Sequence, residues 1–120
     1  MDEMLPADDR AAALALAGLI REHRGGDTVV MDLRGLNAWT DFFVVSTVTS
    51  AVQMEGLQRY IREFAHEKGI AVLRQHRKTS PDDEWKIIDL GTIVVHLMTA
   101  KSRAFYELER LWSASVIIAP

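Results

Sequence analysis

Trp85-Lys86-Ile87-Ile88-Asp89-Leu90-Gly91-Thr92-Ile93-Val94-Val95-His96 is the stretch on which the reading of the chain turns. Two apolar, β-prone runs, Trp85 to Leu90 and Ile93 to Met98, stand on either side of Gly91-Thr92. A two-residue gap containing glycine predicts a tight antiparallel hairpin, because such turns need backbone angles that glycine adopts without strain. Alternation along the second run puts His96 on one face with Val94 and Met98, and Val95 and Leu97 on the other.

Downstream of the hairpin, Thr99 or Ser102 can cap a helix that runs to about Trp112. On it Ala104, Leu108 and Leu111 recur at i, i+4 and i+7 and read as a core face. Phe105, Glu109 and Trp112 form the adjoining stripe, while Tyr106, Glu107 and Arg110 lean outward. Val116-Ile117-Ile118 is a short apolar tail, to be paired as an edge strand or packed as coil. Upstream, Gln75 to Glu84 is polar, contains Pro81 and reads as a loop. Ile70 to Arg74 precedes it as a further strand. Before that, Val52, Leu57, Tyr60 or Ile61, and Phe64 mark a helix, capped by Thr49 or Ser50 and ended by Gly69. Phe42 to Thr47 is apolar on both faces, which predicts a central strand. Arg34-Gly35-Leu36-Asn37 is turn-like, Thr28 to Leu33 is β-prone, and a first helix begins at Asp8 or Asp9 and stops at Gly25-Gly26.

The resulting order is helix, two strands, helix, three strands, helix. It predicts an α/β domain with a mixed five-stranded sheet flanked by helices. The 120 residues suit a single domain, residues 1–120, with 1–7 and 113–120 as tails. Neither an internal repeat nor a linker interrupts it. Apolar residues at 48% and charged residues at 26% are ordinary globular values. Cysteine is absent, which removes disulfides and thiolate metal sites. The Met1-Asp2-Glu3 start shows no basic region leading into an apolar stretch, and no apolar run reaches the roughly 20 residues that span a bilayer. The expectation is a soluble cytoplasmic protein without membrane contact. A formal net charge of -3 argues against binding nucleic acid by phosphate neutralisation and favours a basic protein partner.

A search for chemistry returns little. His23 and His66 lie near helix C-termini, where a cation suits the dipole, and His76 falls in the loop. His96, between apolar neighbours, reads as a hydrogen-bonded histidine within the sheet. No pair of histidines has helical ligand spacing, so no metal site is expected. Neither a Gly-x-Ser-x-Gly elbow nor a glycine-rich phosphate loop is present. One catalytic alternative needs an answer. The strand, small-residue turn and helix around Thr47-Val48-Thr49-Ser50 resemble the start of a nucleotidyltransferase phosphate site. Such enzymes hold two Mg²⁺ ions on paired carboxylates. This chain has no Asp-x-Asp, Asp82-Asp83 point to opposite sides of an extended chain, and Asp89 has no acidic neighbour two residues away.

The hairpin stretch, followed by Arg103-Ala104-Phe105-Tyr106-Glu107-Leu108-Glu109-Arg110-Leu111-Trp112, is similar to the signature of the Iojap-like ribosomal silencing factors. Asp32-Leu33-Arg34-Gly35-Leu36 and Asp41-Phe42-Phe43-Val44-Val45 resemble the same family, and the likeness spans roughly Ala11 to Trp112. The resemblance implies a fold like that of a nucleotidyltransferase without its catalytic carboxylates, no enzyme activity and no cofactor. It implies docking on a large-subunit ribosomal protein at the inter-subunit face. That docking blocks small-subunit joining and represses translation. Members of the family can also form homodimers. The family's Gly-Thr-Ser turn is Val48-Thr49-Ser50 here, its usual glycine before the tryptophan is missing from Gln75–Glu84, and its strand tyrosine is Phe42 or Phe43.

Interfaces draw their energy from a few aromatic and arginine anchors. Trp85 and Tyr106 are therefore the leading contact residues. Asp89 is read as a turn cap or, preferably, as an acceptor for a basic partner, because the family keeps an acid there. His96 and Arg103 within the signature, and Glu107 and Arg110 on the outward face of the last helix, complete the expected docking set. Asp82, Asp83, Glu84 and Asp89 cluster in sequence as an acidic patch that would steer toward a basic protein.

Overall fold

In a computed structural model of the chain, residues 7–36, 38–75, 84–111 and 115–119 are described. In chain order the elements are α1 (Ala7–Glu22), β1 (Gly26–Asp32), β2 (Phe42–Val48), α2 (Ala51–Glu67), β3 (Arg74–Gln75), β4 (Trp85–Asp89), β5 (Ile93–Thr99), α3 (Ala100–Tyr106), α4 (Leu108–Leu111) and β6 (Val116–Ala119). The strands form one mixed sheet in the order β3-β4-β5-β2-β1-β6. β2 and β5 run parallel at its centre and every other pair is antiparallel. Their central place follows from composition. Nearly every residue of both strands is buried, which only apolar side chains on both faces can tolerate.

α2 shows how local chemistry sets an element's limits. The Ser50 hydroxyl accepts the Gln53 N–H at 3.0 Å and caps the start. Met54, Leu57, Ile61 and Ala65 then form the buried face. At the end Gly69 takes a left-handed φ of +71°. The Gly69 N–H donates to His66 O at 3.2 Å and the Ile70 N–H to Ala65 O at 2.8 Å. These are the paired bonds of a Schellman cap.

The sheet divides the core in two. Toward α1 and α2 it packs Val30, Phe42, Val44, Ile88, Ile93, Val95 and Leu97 against Leu16, Ile20, Leu57 and Ile61. The other face carries Met31, Phe43, Val45, Val94 and Met98. Among the described residues, Leu33, Leu36, Ala38 and Leu108 pack against it. Long helices therefore lie on one face alone, where the sequence suggested helices flanking the sheet.

Three further expectations are corrected. The sheet has six strands rather than five: of the two readings of the apolar C-terminal stretch, edge strand or coil, Val116–Ala119 takes the first and pairs antiparallel with β1. The strand expected over Ile70–Arg74 shrinks to Arg74–Gln75, while Ile70 and Val72 pack on the core from irregular chain. The last helix is not continuous to Trp112, which lies outside the described residues along with residues 113 and 114. It breaks at Glu107, which adopts φ +49° and donates its N–H to Arg103 O at 2.9 Å. The break rotates the two halves apart, so Ala104 is exposed while Leu108 is buried.

The link from α1 to β1 is tight. A Cβ built on Gly25 would stand 2.3 Å from Ile20 Cγ2 and 2.5 Å from Ser46 Oγ. Ser46 Oγ lies 2.9 Å from Thr28 Oγ1, a buried polar pair. Gly25→Ala is expected to cost about 1–3 kcal/mol through overpacking. Gly18→Ala, within α1 and with nothing near the added carbon, is expected to gain about 0.5–1 kcal/mol. Urea unfolding of the two variants should therefore shift in opposite directions.

Candidate functional site

The hairpin closes as its glycine implied. Leu90 N–H donates to Ile93 O at 2.8 Å, and Gly91 has φ +91°. The register pairs Ile87 with His96 and Trp85 with Met98. Trp85 and His96 are thus diagonal neighbours on the face that lacks long helices. The indole Nε1–H of Trp85 donates to His96 Nδ1 at 3.1 Å. His96 is 2% exposed, so it does not itself present a surface to a partner. Its ring also meets the edge of Phe43, centroids 4.4 Å apart.

Around this pair the aromatic side chains form a continuous run. Tyr106 packs on Trp85 with centroids 4.6 Å apart. Phe105 stands edge-on to Tyr106 at 4.9 Å. At the other end Trp39 meets Phe43 at 5.4 Å. Phe43 and His96 are interior, whereas Trp39 is 64%, Phe105 78% and Tyr106 36% exposed. Trp85 lies between, partly buried. The run is apolar surface held on a buried floor, the form that protein-binding anchors take.

Each charged residue of the expected set makes a contact within the chain. Asp89 Oδ1 accepts the Gly91 N–H at 2.8 Å, so it caps the turn. Arg103 Nη1 donates to Asp27 O at 2.6 Å and to Thr47 Oγ1 at 2.9 Å, tying α3 to the ends of β1 and β2. Glu107 pairs with Arg110 at 3.2 Å, with side chains 48% and 83% exposed. At that exposure the pair contributes little to stability. Two of the four residues of the acidic patch, Asp82 and Asp83, lie outside the described residues, as does His76. Glu84 Oε1 accepts from Thr99 Oγ1 at 3.4 Å and Ser102 Oγ at 3.3 Å, at the start of α3.

One carboxylate is clearly perturbed. The Arg34 guanidinium grips Asp32 with two bonds, of 3.0 and 2.7 Å. These hold the carboxyl below its ordinary range and push the guanidinium further above its own. A depressed carboxylate adds stability above its unfolded pKa and loses it as pH falls through the folded value. Here the pair closes the turn after β1. Among the described residues, no group of three or more His, Asp or Glu side chains could hold a metal ion, and no helix is long and apolar enough to cross a membrane.

The structure thus brings Trp85, His96 and Tyr106 together and sets Asp89, Arg103, Glu107 and Arg110 to local tasks. Sequence reasoning missed Trp39 and Phe105. A tryptophan in an otherwise turn-like segment was the available signal for the first. Phe105 was masked by the assumption of an unbroken helix.

Comparison with known proteins agrees with this architecture. The profile of the family described as "Ribosomal silencing factor during starvation" matches residues 6–119. A ribosomal silencing factor of Treponema pallidum is 35% identical over 106 residues, covering 88% of this chain and 94% of that protein. One from Bacillus subtilis is 33% identical, covering 76% and 75%. The chloroplastic Iojap protein of Arabidopsis thaliana is 30% identical over 93% of this chain but 46% of its own length. Among solved structures, a Bacillus halodurans protein superposes with a TM-score of 0.69 at 30% identity, covering 86% of this chain and 94% of that one. A Chromobacterium violaceum protein reaches a TM-score of 0.76 at 24% identity, covering 92% and 88%, and shares the fold. With nearly the whole chain matched, the protein belongs to the Iojap-like family of ribosomal silencing factors.

Proposed function

We propose that this chain is a non-catalytic translational repressor. In this reading it docks on a basic protein of the large ribosomal subunit and sterically prevents the small subunit from joining. The observation that carries the reading is the aromatic run in which exposed Trp39, Tyr106 and Phe105 flank a partly buried Trp85, on the side of the sheet opposite α1 and α2. Family membership supports a ribosomal partner, and a mouse relative carries the name "Mitochondrial assembly of ribosomal large subunit protein 1". The net charge of -3 favours a Lys/Arg-rich protein over bare RNA. Trp85 and Tyr106 are the direct anchors, with Asp89, Arg103, Glu107 and Arg110 shaping the surface around them. We read the mixed sheet as a nucleotidyltransferase-like frame put to binding rather than to phosphoryl chemistry, working in the cytoplasm. A second copy of the chain is the competing occupant of the same face.

The test is to mix the protein with separated subunits and resolve them on a density gradient. Co-migration with the large subunit, with fewer joined ribosomes after the small subunit is added, supports the reading. Absence from the large-subunit fraction at low salt refutes it. Because the patch is mainly aromatic, raising the salt from low to physiological concentration is expected to slow association more than it speeds dissociation.

A further inference from the structure

We propose that His96 is a positioning residue for docking. It fixes the orientation of the Trp85 ring by accepting its indole N–H, and contributes no contact of its own. The inference rests on the docking reading above. His96 sits in the central strand β5 and is 2% exposed. Its Nδ1 accepts Trp85 Nε1–H at 3.1 Å. An acceptor nitrogen carries no proton, so the neutral ring holds its proton on Nε2. The Phe43 ring, its centroid 4.4 Å away and steeply inclined, holds the imidazole plane. Tyr106, 4.6 Å from Trp85, confines the indole from another side.

An indole tied by a hydrogen bond to a buried strand residue is already ordered before a partner arrives. A free one at a surface must lose rotamer freedom on binding. A buried histidine also carries a cost of its own, since a polar ring replaces apolar packing in a core strand. The bond to Trp85 gives that ring a use that packing alone does not.

Two substitutions separate positioning from packing. His96→Asn keeps an acceptor near the Nδ1 position but is small, while His96→Leu fills the space and removes the acceptor. If His96 only packs, Leu is the milder change in both stability and docking. If it positions Trp85, the two orders diverge. Leu then melts at the higher temperature, yet binds large subunits more weakly than Asn, by roughly 3- to 10-fold relative to wild type. The Trp85 indole N–H proton resonance should exchange faster with solvent in the Leu variant.

A Trp85→Phe background, which has no indole N–H, gives a second measurement that does not need the Asn variant to fold. There His96→Leu should cause no further loss of affinity, a non-additive cycle. Wild type that does not bind large subunits overturns the docking reading and this inference with it. Wild type that binds, with the Leu variant binding as tightly, overturns the inference alone. An additive cycle does the same.

Discussion

Replacing Trp85 with alanine is expected to weaken association with isolated large subunits by roughly 30-fold or more, the loss of about 2 kcal/mol or above that marks an aromatic hot spot. Trp85 is partly exposed and also hydrogen-bonded to the sheet interior. It therefore presents a large apolar surface with little freedom left to lose. Trp39 and Phe105 are more exposed, at 64% and 78%, and touch neighbouring rings only at their edges. Truncating either should cost less. Glu55→Ala, on the exposed part of α2 over the opposite sheet face, serves as the control and should leave binding unchanged. Quantitative co-sedimentation decides the ranking. Equal affinity of wild type and Trp85→Ala at matched folded fraction would remove Trp85 as the anchor.

How the residues encode this face is partly readable without coordinates. The run Phe42 to Thr47, apolar on both faces, pointed to a central strand, and Gly91-Thr92 between two apolar runs pointed to a tight turn. A two-residue loop pairs Asp89 with Val94, and with it Ile87 with His96 and Trp85 with Met98. The diagonal meeting of Trp85 and His96 was therefore implicit in the hairpin, and it agrees with reading His96 as a hydrogen-bonded histidine within the sheet. The break at Glu107 was not legible. Glutamate has no preference for a left-handed backbone, and the local pattern Ala104, Leu108, Leu111 fits an unbroken helix. The bend comes from tertiary packing. Leu108 is drawn into the second core beside Phe43 and Met98, and Arg103 is tied back to Asp27 and Thr47. The edge strand β6 was one of two open readings. Val116-Ile117-Ile118 shows no alternation, and an apolar run that short is indifferent between strand and coil until β1 offers it an edge.

The side-chain roles were harder still. Asp89 could accept from a partner or from its own turn, and the choice depends on where the Gly91 N–H points. Residue type alone does not show that. Arg103 and Glu84 likewise take partners far away in sequence, across the junction of β2, β5 and α3. Polar residues near a predicted interface are as often the joints that hold it in shape as the contacts that use it.

Phe43 offers the sharpest way to separate shape from contact. It is 1% exposed near the start of the central strand β2, and its ring supports both Trp39 and His96. Phe43→Ala removes a fully buried aromatic from a strand with no room to close the gap. The expected loss is about 3–5 kcal/mol, or roughly 10–20 °C in Tm for a domain of this size. Phe42→Ala, 0% exposed on the helix side of the same strand, should lose a similar amount. Stability thus cannot distinguish the two positions, but docking can. The milder Phe43→Leu and Phe42→Leu variants should both stay folded. Only Phe43→Leu removes the edge that orients His96 and, through it, Trp85. It should bind large subunits more weakly than Phe42→Leu when both are compared at equal folded fraction. The same loss from both substitutions would mean that docking follows the stability of the whole sheet. A loss confined to Phe43 would mean that the face without long helices is built, from its buried floor upward, to hold one tryptophan in place.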